Sequence, residues 1–102
     1  MIGAGSAGLT VAAAAAQFGV PVVLVEKGRM GGDCLNTGCV PSKALIAAAA
    51  VRHAGSRGPA FGIAATEPAV DFAGLHRPVH EVIASIAPHA SVQRFSGLGA
   101  AV

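Results

Sequence analysis

The stretch IGAGSAGLTVAAAAAQFGVPVVLVE, residues 2–26, carries the reading on which the fold turns. Gly3, Gly5 and Gly8 stand in the spacing G-x-G-x-x-G. The first glycine of such a loop permits a tight turn, the second lets the backbone approach a pyrophosphate, and the third lets helix and strand pack closely. From Leu9 to Phe18 the chain is rich in alanine, the best helix former, and Gly19 is placed to close that helix. Val20 to Val25 follows as a run of β-branched residues and Leu with Pro21 at its entry, the composition of a strand covered on both faces. Glycine loop, helix and strand make half of a βαβ unit, which sets the fold class as α/β. The helix N-terminus supplies an anion site. Glu26, about 20 residues after the glycines, would accept hydrogen bonds from ribose hydroxyls and disfavour a ribose 2′-phosphate. A dinucleotide with free ribose hydroxyls is therefore expected. A purely structural glycine turn, with Glu26 as a solvated charge at the strand end, is the alternative. Only Met1 and Ile2 precede the loop, so the strand before it is expected to be largely missing.

The second informative stretch is GGDCLNTGCVPSK, residues 31–43. Cys34 and Cys39 lie five positions apart, and five helical residues rise about 7.5 Å, beyond the roughly 4.4 to 6.8 Å between α-carbons that a disulfide tolerates. The backbone between them is therefore expected to be non-helical, which Asn36, Thr37 and Gly38 allow. A helix from Pro41 to about His53 comes next, with Pro41 in its first turn. The dipole at its start, and Lys43 one turn beyond Cys39, should lower the pKa of a thiol there and make it reactive. A purely structural disulfide is the alternative.

Gly55 to Pro59 should end that helix, and Phe61 to Thr66 reads as a weak strand or connector. Asp71 is a candidate N-cap for a second long helix, whose apolar stripe is Phe72, Leu75, Val79, Val82, Ile83 and Ile86. Pro78 should kink it and Pro88 end it. The tail from Val92 to Val102 holds a possible short strand start. A metal site would need about four ligands, and only one cysteine pair is present. His76 and His80, four residues apart, read as solvated helix surface; Met30, His53 and His89 read as structural. No metal site is expected.

Composition narrows the remaining classes. At 102 residues the chain is one small domain, and a hydrophobic fraction of 53% argues against disorder. Much of that fraction is alanine, which buries little area, so the core should be thin. A net charge of +2 with 12% charged residues and no basic run leaves no footprint for nucleic acid. The longest apolar run, Ala44 to Val51, is far short of the roughly 18 residues of a membrane span, so no membrane association is expected. The N-terminus lacks the Lys or Arg of a signal peptide. The two closely spaced cysteines point to redox or metal chemistry rather than a secreted disulfide scaffold, and a cytoplasmic location follows.

GAGSAG, then Glu26, then GGDCLNTGCVPSKALI resembles the N-terminal FAD-binding segment of the class I pyridine nucleotide-disulfide oxidoreductases. DFAGLHRPVHEVIASIAPHASVQRF, residues 71–95, is similar to the branch of dihydrolipoamide dehydrogenase-like and mercuric reductase-like members. The resemblance implies a partial Rossmann-like FAD-binding domain over residues 1–102, truncated at both ends. The nicotinamide-binding domain and the C-terminal dimerisation domain would be absent. It assigns Gly3, Ala4, Gly5, Ser6, Ala7 and Gly8 to the FAD pyrophosphate, and Glu26 with Lys27 to the adenosine ribose. Gly32 and Asp33 would lie along the cofactor, with Gly99 near the adenine. Cys34 would be the thiol that attacks substrate, Cys39 the thiolate stacked on the flavin, and Lys43 the cation near the flavin's reactive nitrogen. The intact parent would be a homodimer passing electrons between NAD(P)H, FAD, the Cys34/Cys39 disulfide and a thiol, disulfide or metal-ion substrate. The chain alone would be inactive. Asp33 and Thr37 depart from residues common in the family, which weakens assignment to any one enzyme. A non-catalytic FAD-binding remnant and a small Cys/His metal module are the competing readings.

Overall fold

A computed structural model describes residues Met1 to Val102. The glycine loop leads into helix α1, Ser6–Gln17, which Gly19 closes with φ +70° while its N–H donates to Ala16 O. Strand β1, Val22–Val23, comes next, then a short helix α2, Gly32–Asn36, and the long helix α3, Cys39–Ser56. A 3-10 turn, Gly58–Phe61, and an irregular connection lead to helix α4, Phe72–Ile86. A second 3-10 turn, Ala87–Ala90, helix α5, Val92–Gly97, and strand β2, Ala100–Ala101, complete the chain.

The sheet is small and parallel. Val22 and Val23 pair with Ala100 and Ala101, and Ile2 forms a single parallel bridge to Val25. Successive N–H groups of a strand point to opposite sides; the Leu24 N–H goes to Ala101 O and the Val25 N–H to Met1 O. The segment 22–25 is thus the middle of three, with Met1–Gly3 on one edge and β2 on the other. The segment expected to be covered on both faces is not: Leu24 is 1% exposed, but Val23 is 62% and Val25 54% exposed. The reason is that α1 and α5 leave much of the sheet uncovered. The core is Ala4, Ala12, Leu24, Phe95 and Ala100. Shortening Leu24 to Ala in such a core costs about 2 to 5 kcal/mol.

The helical expectations hold with shifted bounds. Asp71 does cap α4, its carboxylate accepting the Gly74 N–H at 2.9 Å. Helix α4 runs through Pro78 and gives way at Ile86 to the 3-10 turn that contains Pro88. Of the expected apolar stripe only Val79 is buried, while Phe72 is 68% exposed. Phe61 to Thr66 forms no strand. Helices α2 and α5 were not legible in the sequence; α5 is capped by the Ser91 hydroxyl, which accepts the Arg94 N–H at 3.2 Å. Against the expectation of no spanning segment, residues Gly32–Ser56 contain an 18-residue window of mean hydropathy 1.3, long and apolar enough by length and composition. That stretch is two helices, interrupted at Thr37 and Gly38, and carries Lys43 and Arg52.

Helices α3 and α4 form a hairpin standing away from the small sheet. The radius of gyration is 19.1 Å, where a compact chain of this length has about 13 Å. Where α1 meets the glycine loop, by contrast, packing is tight: a Cβ on Gly8 would run into the Gly3 carbonyl oxygen. Gly8→Ala is therefore expected to destabilise the chain by about 1 to 3 kcal/mol, read as a lower urea midpoint with an unchanged slope.

Candidate functional site

The site begins at Ala4, a fully buried residue whose N–H and carbonyl are both committed. Its N–H donates to Glu26 Oε2 at 2.7 Å, and its carbonyl accepts the Gly31 N–H at 2.8 Å. The other carboxylate oxygen, Oε1, accepts the Gly28 N–H at 2.7 Å. Glu26 is thus a clamp between the glycine loop and the turn after the strand. The two backbone donors, Ala4 before Gly28, hold its pKa below the ordinary value of 4.5. Each oxygen keeps a further lone pair for another donor.

Helix α1 begins at Ser6 with no side chain capping its first turn. First-turn N–H groups have no intrahelical partner, and their partial positive charge faces the loop. Gly5 and Gly32 touch there: a Cβ on Gly32 would come within 2.7 Å of Gly5 Cα, and Gly32 has φ +57°. The start of α2 can therefore lie against the loop only without a side chain. Beside this contact is a cavity of about 360 Å³, lined by Glu26, Arg29, Gly32, Asp33, Asn36 and Thr37. Arg29 was not singled out from the sequence, and Asn36 and Thr37 were read there as turn residues rather than as part of a binding site. Asn36 is held by its amide, which donates to Met30 O at 3.1 Å and to Gly32 O at 2.8 Å. Of the other expected cofactor residues, Ser6, Ala7 and Lys27 are exposed beside this region. Gly99 sits in the turn before β2 with its N–H on Ser96 O at 3.0 Å, outside the cavity.

Both cysteines are free thiols, Cys34 half-buried in α2 and Cys39 exposed at the first position of α3. The interruption between them is shorter than expected. Asn36 is helical, and only Thr37 and Gly38 turn the chain, their N–H groups sharing Asp33 O at 2.9 and 2.6 Å. The lowered thiol pKa was expected at the start of the long helix, beside Lys43; at Cys34, in α2, the pKa shifts upward. Hydrogen bonding with the Cys39 thiol and then burial raise it above its ordinary value of 9.0. The Lys43 charge pulls the other way but is the weakest influence, because that side chain is exposed.

A glycine cradle at a helix start, a clamped carboxylate at a strand end and a vicinal dithiol define a chain with the parts of a nucleotide-linked redox protein. The family model described as "Pyridine nucleotide-disulphide oxidoreductase" matches residues 1–96, and the chain belongs to that family. FAD and NAD(P)H are the cofactors of the family's members. Among relatives, a mercuric reductase of Streptomyces lividans is 53% identical over 76 residues, 74% of this chain and 16% of that protein. A dihydrolipoyl dehydrogenase of Pseudomonas aeruginosa is 48% identical over 77 residues, 72% of this chain and 16% of that protein. The crystal structure of LpdA from Mycobacterium tuberculosis superposes with a TM-score of 0.81 at 26% identity, covering 99% of this chain and 22% of that one. The chain thus spans less than a quarter of these relatives.

Two outcomes test this geometry. A carboxylate whose pKa falls on folding stabilises the fold above its unfolded value, and that stabilisation is lost as pH drops through the lower folded value. Melting temperature should therefore decline more steeply below pH 4.5 in the parent chain than in Glu26→Gln. Separately, Cys39→Ala should speed alkylation of Cys34 by iodoacetamide roughly two- to fivefold at mildly alkaline pH, because removing the neighbouring thiol enlarges the thiolate fraction. An unchanged rate would remove Cys39 as the cause.

Proposed function

We propose that residues 1–102 are the FAD-binding and dithiol-bearing part of a longer flavin-dependent disulfide oxidoreductase, acting on a small thiol, disulfide or metal-ion substrate. The observation that carries this reading is the joining of the glycine cradle to the cysteine turn through Ala4, Gly31 and the Gly5–Gly32 contact. The names of the relatives support mercuric-ion or dihydrolipoyl substrates.

The residues suit FAD. The uncapped first turn of α1 offers N–H donors to a pyrophosphate, and Gly5 leaves the backbone there without a side chain. Glu26 retains lone pairs for ribose hydroxyls, and the polar cavity lined by Arg29 and Asp33 adjoins it. Gly3 to Gly8 would hold the pyrophosphate, with Glu26 and Lys27 at the ribose, Gly32 and Asp33 along the cofactor, and Gly99 near the adenine. Bound FAD supplies the two-electron chemistry that links nicotinamide to the dithiol. The chain's own contribution is the pair of sulfurs. On reduction the Cys34–Cys39 bond breaks, taking two electrons and two protons to give two thiols. Cys34, the less accessible thiol, would meet substrate, and Cys39 would face the cofactor with Lys43 one helical turn away.

The chain would work within a homodimeric, cytoplasmic parent rather than alone. Its accessible surface is 6994 Å², whereas a folded monomer of this mass exposes about 5,200 Å². Surface of that extent is suited to further domains or a second subunit. The same thin core supports a second reading, in which the chain is a non-catalytic FAD-binding remnant.

An absorption spectrum of the purified chain with added FAD tests the proposal. Retained flavin that gains a long-wavelength charge-transfer band on anaerobic reduction, absent in Cys39→Ser, is the expected result. Flavin retained without the band would favour the remnant reading. Flavin lost on a desalting column would overturn cofactor binding by this chain.

A further inference from the structure

His76 and His80 take no part in the chemistry above, yet their arrangement is specific. Four residues apart on α4, they share one face. Their rings lie 6.4 Å apart between centroids, with an interplanar angle of 30°. His80 Nδ1 lies 2.8 Å from the His76 carbonyl oxygen. A carbonyl can only accept, so Nδ1 carries the proton and His80 Nε2 is left with its lone pair exposed. That is the arrangement found in metal-ligating histidines, whose second ring nitrogen is commonly tied to a backbone carbonyl. His76 is steadied by the Phe72 ring, packed edge-on at 5.6 Å between centroids, and its ring nitrogens form no hydrogen bond with the protein.

We propose that His76 and His80 form a two-histidine site for a divalent first-row cation. Imidazole suits Cu²⁺, Ni²⁺ and Zn²⁺, and the general affinity order puts Cu²⁺ first. A cation about 2.1 Å from a ring nitrogen lies roughly 3.2 Å from the ring centre, so one ion can bridge rings up to about 6.4 Å apart. The observed separation is at that limit, and both side chains are exposed. No third His, Cys, Asp or Glu joins the pair, so water fills the remaining positions. Those positions border a cavity of about 300 Å³ that the two histidines line together with Asn36, Thr37 and Phe72. A cation there would stand across that cavity from the turn that separates Cys34 from Cys39. The site is independent of FAD, so its failure would leave the flavin proposal untouched.

The test is calorimetric titration of the full chain with Ni²⁺, in a Cys34→Ser/Cys39→Ser background so that the thiols cannot compete. One saturable equivalent is expected. His76→Ala and His80→Ala should each weaken it at least tenfold, whereas His53→Ala and His89→Ala should leave it unchanged. With Cu²⁺, electron paramagnetic resonance should show hyperfine coupling to two imidazole nitrogens. Circular dichroism confirms that each variant keeps its helix content, as expected for exposed positions outside the core. Equal losses from all four histidine variants would mean non-specific binding and overturn the proposal. So would no saturable binding, or binding indifferent to His76 and His80.

Discussion

The structure depends on what the Glu26 carboxylate does to Ala4. One oxygen takes the Ala4 N–H and the other the Gly28 N–H, while the Ala4 carbonyl takes the Gly31 N–H. Backbone at Ala4, Gly28 and Gly31 is thereby fastened together around one buried unit. A hydrogen bond to a charged acceptor is stronger than one to a neutral acceptor, so this arrangement holds the loop more firmly than an ordinary turn. The conformation of the glycine loop and the placement of α2 both follow from it. Glu26 is therefore a structural residue first, whatever else its free lone pairs bind.

The cysteine turn is built on a different economy. Helix α2 stops at Asn36 because Asp33 O accepts the N–H groups of both Thr37 and Gly38, and α3 starts directly after those two residues at Cys39. Two helices that meet at so short an interruption bring side chains five residues apart toward one another, which one continuous helix would keep separate. The same approach raises the Cys34 pKa, since two thiols sharing a hydrogen bond favour the protonated form. Neighbouring charge and solvent exposure are local to the folded turn, and a spacing argument cannot weigh them.

Motifs that act through backbone geometry were legible in the sequence. The glycine spacing led directly to the close approach at Gly8, Glu26 stood where the strand ends, and Asp71 capped the helix it precedes. What depends on distant partners was not. Val23 and Val25 have the composition of buried strand residues, but burial requires neighbouring layers, and β2 supplies only two residues on one edge. Helix α2 was hidden because five residues carry no periodicity, and Arg29 and Asn36 belong to the cavity only through a turn that brings them against Gly32. The expectation of no membrane span counted an uninterrupted apolar run, whereas a window that bridges Thr37 and Gly38 is apolar enough by composition alone.

The two halves of the molecule are of unequal cohesion, and the redox turn lies at their joint. Around the sheet, Leu24 and Phe95 are buried at 1% and 3% exposure, whereas α3 has no buried residue at all. What positions the dithiol relative to the glycine cradle is consequently not the hydrophobic core. It is the Gly31–Ala4 hydrogen bond, the side-chain-free crossing of Gly5 and Gly32, and the Asn36 amide bridging Met30 O and Gly32 O. Such polar, backbone-centred ties are directional, so they hold distances closely even where little area is buried. A site assembled that way can keep its geometry while the hairpin beyond it moves, and anything packed against α3 and α4 would steady the hairpin without redrawing the site.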